Sequence, residues 1–122
     1  MLRMSREEFE RVVARALDRL PERLATLLEN VAVVVEDEPT DEDILDVGLD
    51  PETDTLFGLY QGVSLEERGL GSYGGALPDR IVIYRLPLLA ACEDRAELVR
   101  EIHDTVVHEV GHYFGLGEDA LP

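Results

Sequence analysis

The residues best suited to chemistry lie together near the end of the chain. His108-Glu109-Val110-Gly111-His112-Tyr113-Phe114-Gly115-Leu116-Gly117-Glu118 spells H-E-x-x-H-x-x-G-x-x-E. On a helix, residues four apart sit about 40° apart on one face. His108 and His112 can therefore hold one metal ion between them, with Glu109 on the same side. Gly115 suits a left-handed turn that ends the helix and returns the chain. That return would bring Glu118, or its neighbour Asp119, towards the ion as third ligand. The chemistry this predicts is zinc-dependent hydrolysis, of peptide bonds first of all.

Each group has its own task in such a site. A catalytic zinc takes three protein ligands and keeps one position open for water. Two neutral imidazoles and one carboxylate leave a net positive charge on the ion, enough to bring a bound water to a pKa near ~7. Glu109 is then the general base that takes the water proton and hands it to the leaving amine. Asp104, one turn before His108, is a candidate to orient that imidazole. Tyr73, Tyr84 and Tyr113 are candidates to donate to an oxyanion. His103 precedes His112 by nine residues and lies nearly opposite it on a helical wheel, so it is a poor ligand.

These side chains need a helix to carry them and a sheet to set it. Asp94 with Glu97 begins the last helix, and Leu98, Val99, Ile102, Val106 and Val110 give it a core face. Before it, Ser5 with Glu8 opens a first helix whose apolar stripe runs Phe9, Val12, Val13, Ala16, Leu17, Leu20. Pro21 stops that helix and opens a shorter one through Leu24, Leu27 and Leu28. Val31 to Val35 reads as a buried strand, Leu56 to Tyr60 as a second and Asp79 to Tyr84 as a third. Pro87 permits a short helix from Leu88 to Ala91. Between the first two strands, ten of the nineteen residues from Glu36 to Asp54 are acidic. That stretch reads mostly as a solvated loop, in which Asp41-Glu42-Asp43 could begin a brief helix carrying Ile44 and Leu45; the calcium-loop pattern is absent. The glycine-rich segment from Gly62 to Pro78 lacks the Gly-Lys-Ser/Thr of a phosphate loop and reads as a loop beside the site. An extended substrate is expected to pair with a sheet edge, with the Asp79 to Tyr84 strand as the candidate.

Composition narrows the field further. At 122 residues the chain is expected to be one domain, residues 1–122. Its formal charge of −16 argues against binding nucleic acid through a basic surface. No apolar run is long enough to span a membrane, and the first residues lack the apolar core of a signal peptide, so a cytoplasmic protein is expected. Cys92 is the single cysteine and cannot form a disulfide within the chain; it reads as a buried, inert thiol.

The motif His108 to Gly115, preceded by Leu77-Pro78-Asp79-Arg80-Ile81-Val82-Ile83-Tyr84-Arg85 and by Leu59-Tyr60-Gln61-Gly62-Val63, resembles the small bacterial minimal zincin family of metallopeptidases. The resemblance runs from about Phe9 to Leu121. It implies a zincin-like α+β fold, a small mixed sheet packed by helices with the metal-binding helix near the C-terminus. It also implies Zn2+ as cofactor, His108 and His112 as ligands, Glu109 as catalytic base and a peptide or protein as substrate. The family often carries Asp-Glu after the glycine turn, where this chain has Glu118-Asp119; the position in H-x-x-G-x-x-E favours Glu118 as ligand. The only methionines are Met1 and Met4, so the methionine turn of longer metzincins is missing. Little chain follows Gly115 to wall a cleft. This motivates the alternative reading, a metal-binding regulatory or interaction module with little hydrolysis.

Overall fold

The computed structural model describes residues 1–62 and 78–115. Its first helix, α1 (Arg6–Asp18), is capped by Ser5, whose hydroxyl accepts from the Glu8 N–H at 3.1 Å. The other half of the expected capping box is not made. The Glu8 carboxylate instead pairs with Arg95 at 2.6 Å, tying the start of α1 to the start of the last helix. Phe9, Val12, Val13 and Ala16 bury the apolar stripe. A short α2 (Glu22–Leu27) follows Pro21, as expected.

Among the described residues three strands form the sheet: β1 (Val31–Glu36), β2 (Gly58–Gln61) and β3 (Asp79–Tyr84), in the order β1-β3-β2. β1 runs parallel to β3 and β2 antiparallel to it, so the sheet is mixed. Two expectations change here. The apolar Val31–Val35 run reads as a buried strand, yet among the described residues β1 is an edge strand and only its Val35 is buried. The Arg6 guanidinium donates to the Val35 carbonyl beside it. Conversely, β3 cannot offer an edge to a substrate, because neighbours occupy both its sides.

Ile81, Val82, Ile83 and Tyr84 are all 0% exposed, so both faces of β3 are covered. Ile81 and Ile83 join the main core. The side chains of Val82 and Tyr84 alternate to the opposite face. There the Tyr84 hydroxyl meets Asp43 at 3.3 Å. Burial, then the Asp43 carboxylate, pushes this phenol above its ordinary pKa. Asp43 belongs to α3 (Asp41–Asp46), a helix within the acidic stretch with a complete capping box between Thr40 and Asp43. Ile44 is its buried anchor.

After β3 come α4 (Arg85–Ala91), which starts ahead of the expected Leu88 and takes Pro87 into its first turn, and α5 (Arg95–Tyr113). Asp94 caps α5, accepting from the Glu97 N–H at 2.8 Å, while the Glu97 carboxylate turns to the Glu93 N–H. Leu98, Val99, Ile102, Val106 and Val110 are buried as their spacing predicted. They join residues of α1, β3 and Cys92 in one cluster. Burial pushes the Cys92 thiol up to about 11, which keeps it a thiol at neutral pH. The result is a mixed α+β architecture: a three-stranded sheet packed by helices, the longest of them last. No helix among the described residues is long and apolar enough to cross a membrane.

Candidate functional site

The site is set by how α5 passes the sheet. At Gly58 the helix comes so close that a Cβ there would stand 2.7 Å from the Thr105 Cγ2 and 3.0 Å from the Val82 carbonyl oxygen. Only glycine admits this approach without a shift of neighbours. Four residues further along α5, the Glu109 Oε1 accepts from the backbone N–H of Tyr60 at 2.9 Å. That N–H is available because Phe57 accepts from Tyr84 across the ladder, and in an antiparallel pair the bonding alternates. Gly58 and Tyr60 thus turn their backbone groups away from β3.

An aromatic group fastens the end of the helix to the same strand. The Tyr60 and Tyr113 rings stack at 3.9 Å with 21° between planes. Phe114 stands edge-on to both, at 5.9 Å and 5.2 Å. The Tyr60 hydroxyl donates to Asp79 at 2.9 Å, so one residue binds the helix, the central strand and the candidate base. Gly115 follows with φ of 64°, the left-handed turn expected at the end of α5.

His108 and His112 lie one turn apart, both exposed, and neither has a hydrogen-bond partner among the described residues. Two open imidazoles on adjacent turns, with a tethered carboxylate beside them, are a donor set that fits a divalent metal such as zinc. No three His, Cys, Asp or Glu side chains among the described residues come together as a complete ligand set. The expected third ligand, Glu118, and its rival Asp119 lie outside the described residues, as does Tyr73.

Other expected partners stand elsewhere. Asp104 meets His103 Nδ1 at 3.3 Å rather than orienting His108. His103 is half-buried and is no candidate ligand. Tyr84 is sealed beneath the sheet against Asp43 and cannot serve as an oxyanion donor. Tyr113 is partly exposed, with its ring committed to Tyr60. The contribution that sequence reasoning missed is that of Tyr60, because it comes through a backbone N–H. Its only sequence signal was its place in a short strand, which leaves the pairing order unspecified.

Comparison with known proteins bears on this arrangement. The profile of the zincin-like metallopeptidase family matches residues 28–122, which includes all three strands and α5. A conserved hypothetical protein from Thermo thermophilus is similar in structure: the match has a TM-score of 0.57, covers 91% of this chain and 94% of that one, and has 24% sequence identity. That likeness concerns the fold. No curated protein matches the chain.

Proposed function

The chain belongs to the zincin-like metallopeptidase family, and from that premise we propose that it is a zinc-dependent peptidase with Glu109 as general base. His108, His112 and Glu118 would hold the ion. Zinc bound there supplies Lewis acidity and makes a water acidic enough to attack a carbonyl near neutral pH. The remaining work falls to the chain's own residues.

One observation carries the reading: the Tyr60 N–H holds Glu109 Oε1 at 2.9 Å. A surface glutamate on a helix has many rotamers, and this bond selects one. It leaves Oε2 without a partner among the described residues. That oxygen takes the proton of the attacking water and returns it to the leaving nitrogen. The extended substrate lies along the outer edge of β2, where Gly58 turns its N–H and C=O away from β3, and pairs there by backbone hydrogen bonds.

Metal analysis and a single substitution test this. The purified chain should carry zinc, and Glu109→Gln should keep it while lowering kcat by about 10²–10⁴. If both forms bind zinc and are equally inert across a broad peptide library, the peptidase reading fails. The metal-binding interaction module then becomes the better account.

A further inference from the structure

A groove of about 390 Å³ adjoins His108 and Glu109. One wall is Phe57 and Gly58, at and before the start of β2; the other is the face of α5 carrying Glu101, Asp104 and Thr105. Glu101, Asp104 and His108 are spaced at i, i+3 and i+7, so the groove follows the helix away from the imidazole pair. Asp104 is one turn, about 6 Å of rise, from His108.

The chemistry of this groove is lopsided. Three carboxylates line it, Glu101, Asp104 and Glu109, and no arginine does, among the described residues. Glu101 has no side-chain hydrogen bond or ion pair among them, and Asp104 engages only one oxygen, towards His103 Nδ1. Between the carboxylates the wall is apolar, because Thr105 turns its hydroxyl to the Glu101 carbonyl at 2.7 Å. Its methyl faces Gly58. Phe57, partly buried against the core, stands on the opposite wall. A partly apolar groove with Glu101 unpaired and one Asp104 oxygen still unengaged, among the described residues, suits a side chain with an aliphatic stem and a cationic head. An acidic side chain would meet like charge there, and a neutral one would gain no charge pairing with Glu101 or the open Asp104 oxygen.

We propose that this groove receives a lysine or arginine side chain of the substrate next to the scissile bond, with Glu101 and Asp104 reading its charge. The proposal rests on the peptidase reading for its place in a reaction, and on the groove alone for its ligand. It makes the substrate class basic peptides, in keeping with the formal charge of −16 on the chain.

The test uses the zinc-loaded full chain and peptides that differ at one position: arginine, lysine, norleucine or glutamate. The basic peptides should exceed the norleucine peptide in kcat/KM by roughly tenfold, the scale of a charge-assisted hydrogen bond. The ratio should shrink with added salt. The double variant Glu101→Gln, Asp104→Asn should bring it close to one. An arginine-to-norleucine ratio that the double variant leaves intact overturns the proposal. A second readout needs no hydrolysis. Nα-acetyl-arginine amide, titrated into zinc-loaded Glu109→Gln protein and followed by NMR, should shift groove resonances and bind roughly tenfold more weakly once the two carboxylates are neutralised. Equal binding of Nα-acetyl-norleucine amide also overturns it. If no peptide is cleaved, the peptidase reading falls, and the amide titration still decides the groove.

Discussion

The two long faces of α5 differ in what they leave undone. On the core face, Leu98, Ile102, Val106 and Val110 are each 0% exposed and belong to the main cluster. On the other face, His108 and His112 are exposed without hydrogen-bond partners among the described residues, and Glu101 has no ion pair there. The first face lowers the free energy of the folded chain by removing apolar surface from water. The second leaves His108, His112 and Glu101 without side-chain partners among the described residues, which is what a ligand requires of them. One helix serves both purposes because its apolar face holds it in place. The open face then needs no contacts of its own to stay ordered.

Three substitutions probe this division, beginning with the largest effect. Ile102→Ala removes a fully buried side chain beneath the site and should cost about 2–5 kcal/mol in urea unfolding. A smaller loss would mean that the core face does not carry the helix. Gly58→Ala attacks the seam between helix and strand. A Cβ 2.7 Å from the Thr105 Cγ2 should cost about 1–3 kcal/mol. Thr105→Ser, which deletes that methyl and keeps the hydroxyl, should recover part of the loss in the double variant. Unchanged stability of Gly58→Ala would refute so close an approach. His112→Ala is the mild case. Without metal, its stability should stay within about 0.5 kcal/mol of the parent, as for other exposed side chains. With zinc added, the parent Tm should rise and that of the variant should not. Destabilisation of the metal-free variant would show that the open face also supports the fold.

The sequence announced some of these parts and concealed others for physical reasons. α1 and α5 were legible because a cap and a helical apolar stripe are local signals, and both helices begin where Ser5 and Asp94 predicted. The β3 boundaries, Asp79 and Tyr84, were legible in the same way. The order of strands was not, since Val31–Val35 and Ile81–Tyr84 are similar apolar runs and nothing local says which is central. That ambiguity pointed to β3 as the substrate's edge, whereas β3 has a neighbour on each side and, among the described residues, β2 is the edge strand beside Glu109. The brief helix at Asp41–Asp46 was legible as a possibility within a stretch that otherwise reads as a loop, and the Thr40–Asp43 capping box and buried Ile44 are what hold it. In the site, the spacing of His108, Glu109 and His112 placed three side chains on one helix. It could not tell that Glu109 is held by a main-chain N–H from a strand far earlier in the chain.

That hydrogen bond joins residues 49 apart in sequence. The imidazole pair needs only a formed helix, whereas the tether on the carboxylate needs strand, sheet and helix assembled together. A chain caught partway through folding, or loosened at the β2–α5 seam, keeps both histidines in register yet loses the fixed direction of its base. Under the proposed function, hydrolytic competence would then depend on the completed assembly of strand, sheet and helix.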